Sequence, residues 1–419
     1  MVRKLGLLTS LYLAQGLPYG FFTQALPAML RQQGLSLEKI GLASLLALPW
    51  GLKFLWAPAV DRLGSERIGR RRSWILPLQG LAIVVLILLS GVDPSAGLTP
   101  ILVGVYALNL VAATQDIATD GLAVSILSHD ERGLGNGIQV AGYRLGMIIG
   151  GGVLLIVFER LGWTNVFLLM AAVIFLTTLP IAAYREPRAA PAGPKPSLGR
   201  AVIVDFLGRP GMLRWLGVIA ALKAGEHLAT AMLRPFFIDR GLDLEAIGWL
   251  TGTAGFIAGL AGAMAGGALV RPLGRYRALM IFGVLEALAV AAYALATLGP
   301  LNLELLYGLC IAEHFVGGMV TVSLFTLMMD ACRKGMAGTE YTIQASVYVL
   351  AAGAVSGLSG FVAASIGYTW HFIVSGVACL LMLIPLILHV AAEQAGASKV
   401  MAWTEEPEGA GEGEVAALT

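Results

Sequence analysis

Gly34-Leu35-Ser36-Leu37-Glu38-Lys39-Ile40-Gly41 returns 207 residues later as Gly241-Leu242-Asp243-Leu244-Glu245-Ala246-Ile247-Gly248. A second pair, Leu161-Gly162-Trp163-Thr164 and Ile366-Gly367-Tyr368-Thr369, recurs at an offset of 205. Two matches at opposite ends of one unit, at nearly one offset, indicate duplication. The unit is apolar. Of 419 residues 57% are hydrophobic and only 13% charged, and mean hydropathy is +0.79. Soluble chains carry roughly 25% charge, so the solvent for most of this chain is lipid.

Stretches of about 20 apolar residues can span a bilayer. They fall near 6–30, 38–60, 73–92, 99–126, 134–158 and 163–184, then near 211–237, 244–270, 277–297, 302–329, 338–364 and 369–391. The expected fold is all-α, twelve membrane helices in two six-helix bundles at 1–184 and 211–392. Between them, 185–210 is a polar linker punctuated by Pro187, Pro191, Pro194 and Pro196. From 393 to 419 the chain is rich in Glu, Gly and Ala and is expected to be a disordered acidic tail. Arg3 and Lys4 precede the first apolar run, which continues past signal-peptide length and reads as a retained helix.

Basic residues set the orientation. With both termini cytoplasmic, the cytoplasmic segments hold 20 Lys and Arg, and the opposite loops hold four: Arg31, Lys39, Arg160 and Arg240. This bias places both ends inside. A net charge of +2 gives no reason to expect nucleic acid as a partner. Cys310, Cys332 and Cys379 lack CxxC spacing and read as packing residues. No Walker loop, HExxH or nucleophile constellation is present, so neither a catalytic site, a metal nor a cofactor is expected. A transporter with such a sequence would have to draw on a gradient.

Ionisable residues inside spans cost roughly 2.5–3.5 kcal/mol each on insertion scales and are functional candidates by default. The basic ones are Lys53, Arg144, Lys223 and Arg234; the acidic ones are Asp116, Asp120, Glu226, Glu286 and Glu313. Such a cationic set suits an anionic solute, or ion pairs that exchange partners during transport. The bland readings are specific too. Arg234 can snorkel to the surface, Lys223 and Glu226 can form a private pair, and His227 can be a packing histidine. Asp116 and Asp120 lie one turn apart, and two neighbouring carboxylates repel. They read as a proton carrier or as an interdomain or gating pair. Glu226 and Glu313 are the other proton-coupling candidates, whereas Glu286 reads as a residue facing lipid-side packing. Gly142, Gly146 and Gly150, and likewise Gly353 and Gly357, have the spacing of close helix contacts.

The loop Asp61-Arg62-Leu63-Gly64-Ser65-Glu66-Arg67-Ile68-Gly69-Arg70-Arg71-Arg72 resembles the signature between helices 2 and 3 of the major facilitator superfamily. In that family the acid and the arginines tie cytoplasmic helix ends together in one conformation. Asp61, Arg62, Arg70 and Arg71 are thereby gating candidates. The second-half counterpart, Arg271-Pro272-Leu273-Gly274-Arg275-Tyr276-Arg277, keeps the bases and lacks the acid. Further stretches resemble the AmpG-type branch, which includes muropeptide permeases and single-component siderophore permeases. They are Gln15-Gly16-Leu17-Pro18, Leu52-Lys53-Phe54-Leu55-Trp56-Ala57-Pro58, Ala113-Thr114-Gln115-Asp116-Ile117-Ala118-Thr119-Asp120, Gly142-Tyr143-Arg144-Leu145-Gly146-Met147, Lys223-Ala224-Gly225-Glu226, and Glu313 with Gly317-Gly318. Met232-Leu233-Arg234-Pro235 is closer to the siderophore members. The resemblance implies a monomeric, proton-driven importer in the bacterial inner membrane. Its partners would be the lipid bilayer, protons and an anionic wall fragment or siderophore. Lys53, Arg144, Lys223, Arg234 and Gln115 would be the substrate ligands. A non-transporting scaffold or sensor is the alternative of another class; it would have little reason to keep costly buried charges.

Overall fold

A backbone in hydrocarbon finds hydrogen-bond partners only within its own segment, so apolar stretches in lipid become helices. The computed structural model describes residues 1–26, 46, 48–93, 98–186, 200–242, 244–398 and 400, and no strand occurs among them. Helix α1 runs Val2–Gly20 and continues in a widened turn, Phe21–Ala25. The described part of α2 is Leu48–Leu52, a tight turn Lys53–Leu55, and Ala57–Arg62. The beginning of the expected second span, with the first copy of the repeat at 34–41, lies outside the described residues. Then come α3, Arg72–Ser90, and α4, Thr99–Ile126. Helix α5 occupies 132–161 and α6 occupies 163–183.

In the second half α7 has three pieces, Met212–Leu222, Ala224–Thr230 and Leu233–Asp239. Helix α8 comprises Leu244–Ile247, Gly248–Gly255 and Phe256–Leu273. Helix α9 is Arg275–Ala292 with a tight last turn Tyr293–Thr297, and α10 is Leu303–Asp330. Helices α11 and α12 occupy 337–366 and 368–394. By length and composition, eight stretches of the described residues can cross a membrane, one of them, 337–394, holding two helices.

The shorter repeat marks two chain reversals. Gly162 (φ 71°, ψ 176°) separates α5 from α6, and Gly367 (φ 74°, ψ 162°) separates α11 from α12. That region of conformational space belongs essentially to glycine, which is why the residue recurs at both corners.

Helix α1 lies against α5 with almost no side chain between them. A Cβ on Gly146 would fall on the backbone of Leu13 and Leu17, and one on Gly150 on the carbonyl of Leu17. Such a seam cannot yield without moving backbone. Gly146→Leu should cost about 1–3 kcal/mol or more by overpacking and visibly lower the melting temperature of the purified protein; an unchanged melting curve would refute the seam. Gly353 and Gly357 behave otherwise. They are exposed, and a Cβ on either meets nothing within 4 Å. Helix α11 instead packs on α7 through its other face, where Ser359 Oγ donates to the Leu228 carbonyl over 2.5 Å. A second glycine seam joins the halves: Gly133 and Gly137 of α5 meet Gly267 and Ala263 of α8.

The polar segments hold structure of their own. Within the expected linker, Arg200–Leu207 is a helix whose Val202 and Phe206 are buried. The tail expected to be disordered from 393 is helical to Gln394, and Ser398 and Val400 are buried. Ser398 lies against Gly211, and Val400 packs in the cluster that holds Met212 and Trp215. Residues 187–199 and 401–419 lie outside the described ones. Leu88, Leu176, Leu288, Leu358, Phe361 and Trp370 are among the exposed apolar side chains, the surface that lipid covers.

Candidate functional site

Both intramembrane lysines sit where their helix breaks. Lys53 opens the tight turn of α2, and Lys223 is the joint between the first two pieces of α7. An interrupted helix frees backbone polar groups inside the bundle, a recurrent setting for solute sites in transporters.

In the first half, Lys53 Nζ bonds Asp116 Oδ2 of α4, both groups buried. One turn on, Asp120 accepts from Tyr12 Oη of α1 (2.8 Å) and Gln139 Nε2 of α5 (3.3 Å). Gln139 Nε2 also approaches Tyr341 Oη of α11 at 3.5 Å, which brings the second half to the same point. The ammonium of Lys53 is thus bonded to Asp116, and the neighbouring Asp120 is held by neutral donors. Gln115 is buried, and its Nε2 has no partner among the described residues.

In the second half, Lys223 Nζ bonds both Glu226 and Glu286, the latter at 2.6 Å. The pair with Glu226 is thus not private. Glu286 does not face lipid-side packing; it is 1% exposed. Its carboxylate points inward because α9 turns that face to α7 and α10. Glu313 of α10 meets His314 Nδ1 at 2.6 Å. A Cβ on Gly317 would lie 3.3, 3.5 and 3.8 Å from carboxylate oxygens of Glu226, Glu286 and Glu313, so three acids converge on one glycine. His227 is half-buried, its Nε2 3.4 Å from Tyr348 Oη.

Arg144 joins the two sets. From α5 its guanidinium reaches across to α8, over the Phe256 ring (6.0 Å to the centroid) and against Gly259. Arg234 stays apart, exposed on α7. Overall three cations, Lys53, Arg144 and Lys223, face five carboxylates, Asp116, Asp120, Glu226, Glu286 and Glu313. Charge inside an apolar bundle is costly unless it is balanced. His314, beside Glu313, is a further group there that can take up positive charge.

At the end of the bundles that carries the basic loops, a second constellation locks the halves together. Asp61 is wholly buried; its Oδ1 takes Arg71, and its Oδ2 accepts from the backbone N–H (2.6 Å) and hydroxyl (2.5 Å) of Thr339 in the first turn of α11. A carboxylate at a helix N-terminus also meets the positive end of the helix dipole. Arg70 instead donates to the Asp61 carbonyl (2.5 Å), and Arg62 is exposed. The acid missing from the loop between α8 and α9 is supplied by α10: Asp330 accepts Arg132 Nη1 of α5 (2.7 Å) and bonds Arg275, with His129 Nδ1 at 3.4 Å. Arg271 and Asp130 (2.9 Å) form an exposed rim pair. Near it Lys4, bonded to Glu131 at 2.7 Å, holds that carboxyl below its ordinary range, helped by the Ser128 N–H. Beside Thr339, the buried Glu340 binds Arg209 from the linker side and Arg333 (2.7 Å), and Arg333 reaches Asp205 of the linker helix (2.6 Å). Sequence reasoning passed over Glu340 and Asp330 and assigned Glu286 to the wrong side of its helix. Glu286 alone had a signal, its charge within a span.

Residues 8–356 match the profile of the Major Facilitator Superfamily. The chain is 31% identical over 380 residues to the anhydromuropeptide permease of Escherichia coli K12, covering 90% of this chain and 77% of that protein. It is 26% identical over 377 residues to the putative transporter AmpG 4 of Rickettsia felis, covering 86% and 90%. Among solved structures, the human organic anion transporter MFSD10 superposes with a TM-score of 0.72 at 16% identity, over 92% of this chain and 99% of that one. FucP in its outward conformation gives 0.70 at 13% identity, over 92% and 98%.

Proposed function

The chain belongs to the major facilitator superfamily, and from that premise we propose that it imports a muropeptide across the bacterial inner membrane by proton-coupled alternating access. Membership makes it a multi-pass membrane transporter with the twelve-helix fold of that family. The carrying observation for coupling is the interior in which five carboxylates face three cations across the junction of the halves. Protons entering from outside balance the surplus acids. Lys53 and Arg144, on the first half, are the ligands for an anionic solute, and Lys223 changes carboxylate partners as the halves rock.

The solute follows from similarity to the anhydromuropeptide permease over 90% of the chain. A siderophore is the weaker choice, because Arg234, on the stretch that carried that reading, stands exposed and away from the charged interior. With the basic loops in the cytoplasm, the Asp61 and Asp330 latches close the inner end, and the conformation is outward-facing.

Uptake of a labelled anhydromuropeptide into proteoliposomes tests the reading. Uptake should rise under an inward proton gradient and collapse with an uncoupler. Indifference to both would remove the coupling, and absence of uptake would remove the substrate.

A further inference from the structure

An aromatic corner beside Lys53 has no part in the charge network. Tyr19 of α1, Trp50 of α2 and Tyr143 of α5 come from three helices; Trp50 meets both tyrosines edge to face, and the two tyrosines are tilted at 50° to each other. Their centroids are 5.4 Å (Tyr19–Trp50), 5.6 Å (Tyr19–Tyr143) and 6.4 Å (Trp50–Tyr143) apart. All three rings are half-buried, and Lys53 Nζ stands 5.5 Å from the Trp50 centroid. Packing alone does not account for what surrounds them. Trp50 Nε1 donates to Asn109 Oδ1 over 3.0 Å, which fixes the orientation of that amide, because indole N–H can only donate. Asn109 is 2% exposed, yet its Nδ2 has no partner among the described residues. Gln15, one turn before Tyr19 and 1% exposed, finds no partner for its Nε2 or its Oε1 among the described residues. Buried polar groups are hydrogen-bonded as a rule, and each one left without a partner calls for an explanation.

We propose that Tyr19, Trp50 and Tyr143, with the amides of Asn109 and Gln15, form a subsite for an acetamido-sugar ring. The inference rests on the muropeptide reading and assigns its sugar moiety a place. The C–H bonds of a pyranose face carry partial positive charge and fit electron-rich ring faces, as cations do. The acetamido carbonyl accepts from Asn109 Nδ2, and ring hydroxyls use both ends of Gln15. Lys53, next to Trp50, then lies where the acidic part of the same solute leaves the sugar. The sugar is thereby held by the first half alone, and the peptide extends toward Arg144 and the second half.

The test is calorimetric binding to the full chain in nanodiscs. The probes are an anhydro-disaccharide tripeptide, the same tripeptide without sugar, and the anhydro-disaccharide alone. Trp50→Ala should weaken the two sugar-bearing probes about tenfold or more and leave tripeptide affinity unchanged, with Trp50→Phe close to wild type. Asn109→Ala should weaken the same two probes and spare the tripeptide. Should Trp50→Ala fail to fold, Tyr143→Leu carries the same expectation. Equal loss for all three probes, or no loss, overturns the subsite while the transport reading stands. Wild type that binds none of the probes overturns the muropeptide reading and the subsite with it.

Discussion

Asp120→Asn should abolish accumulation of substrate against its gradient and leave exchange of substrate across the membrane intact. The expectation follows from how the two carboxylates of α4 are held. Asp116 has the ammonium of Lys53, whereas Asp120 has neutral donors, Tyr12 and Gln139. An anion with only neutral donors, in a bundle that lipid surrounds, is the member of the pair that a proton relieves. Asparagine keeps the shape and accepts from both donors, but carries no exchangeable charge. One proton moving down a difference of one pH unit yields about 1.4 kcal/mol, so losing one coupled proton lowers the accumulation ratio about tenfold per unit. Proteoliposomes loaded for counterflow and, separately, energised with an inward proton gradient read the two halves of the expectation. A variant that still concentrates substrate and still responds to an uncoupler would exclude Asp120. Asp116→Asn should look different, because it strands the Lys53 ammonium. Breaking a buried pair from one side costs about 3–5 kcal/mol, and folded protein in the membrane should fall.

The contrast between these neighbours shows where sequence reading stops. That Lys53, Asp116 and Asp120 matter was legible, because a charge in a span is expensive wherever it lies. Which of them pair was not, since partners come from other helices and no periodicity reports them. The same holds in the second half. Glu286 reads as a lipid-side residue because α9 is apolar on every side, so its hydropathy pattern has no polar stripe to mark the inner face; in the structure that residue is bound to Lys223. Boundaries were more legible. The twelve stretches match helices α1–α12 to within a few residues wherever they are described, and Gly162 and Gly367, known from the sequence only as parts of a repeat, stand at two corners between them. Gating lay between these extremes. Asp61 was identifiable from its loop, but Arg71, not Arg62, meets its carboxylate, because the loop is long enough to bring the start of α3 back beneath α2. The missing acid of the second loop could not be traced along the chain at all. It sits at the end of α10, more than fifty residues past the bases it serves, as the 55-residue separation of Arg275 and Asp330 shows.

That displaced acid carries the second large prediction, a change of conformational balance on Asp330→Ala. Asp330 is 2% exposed and binds Arg275 from its own half, and Arg132 and His129 from the other. The bond to Arg275 persists whether the halves are together or apart at this end, so its loss lowers both states alike. Only the bonds to Arg132 and His129 exist in the closed state alone, and Arg132 is itself buried at the first turn of α5. Charge-assisted hydrogen bonds of that kind are worth about 1.5–3 kcal/mol, so the closed end should lose roughly thirtyfold in relative population, at about 2 kcal/mol. Spin labels at Leu63 and Arg277, exposed and on opposite halves of this end, would report it as a new, longer distance in the variant. Arg132→Met removes the shorter of the two cross-half bonds while leaving Asp330 with Arg275 and His129, and should shift the balance in the same direction with less loss of stability. The rim pair Arg271–Asp130 offers the matching control, since exposed pairs contribute about 0–1 kcal/mol and Asp130→Asn should leave the distances as they are. If Asp330→Ala and Arg132→Met both keep the wild-type distances, the halves are held at this end by Asp61 and the glycine seam of α5 and α8. The latch at α10 would then be a brace within the second half.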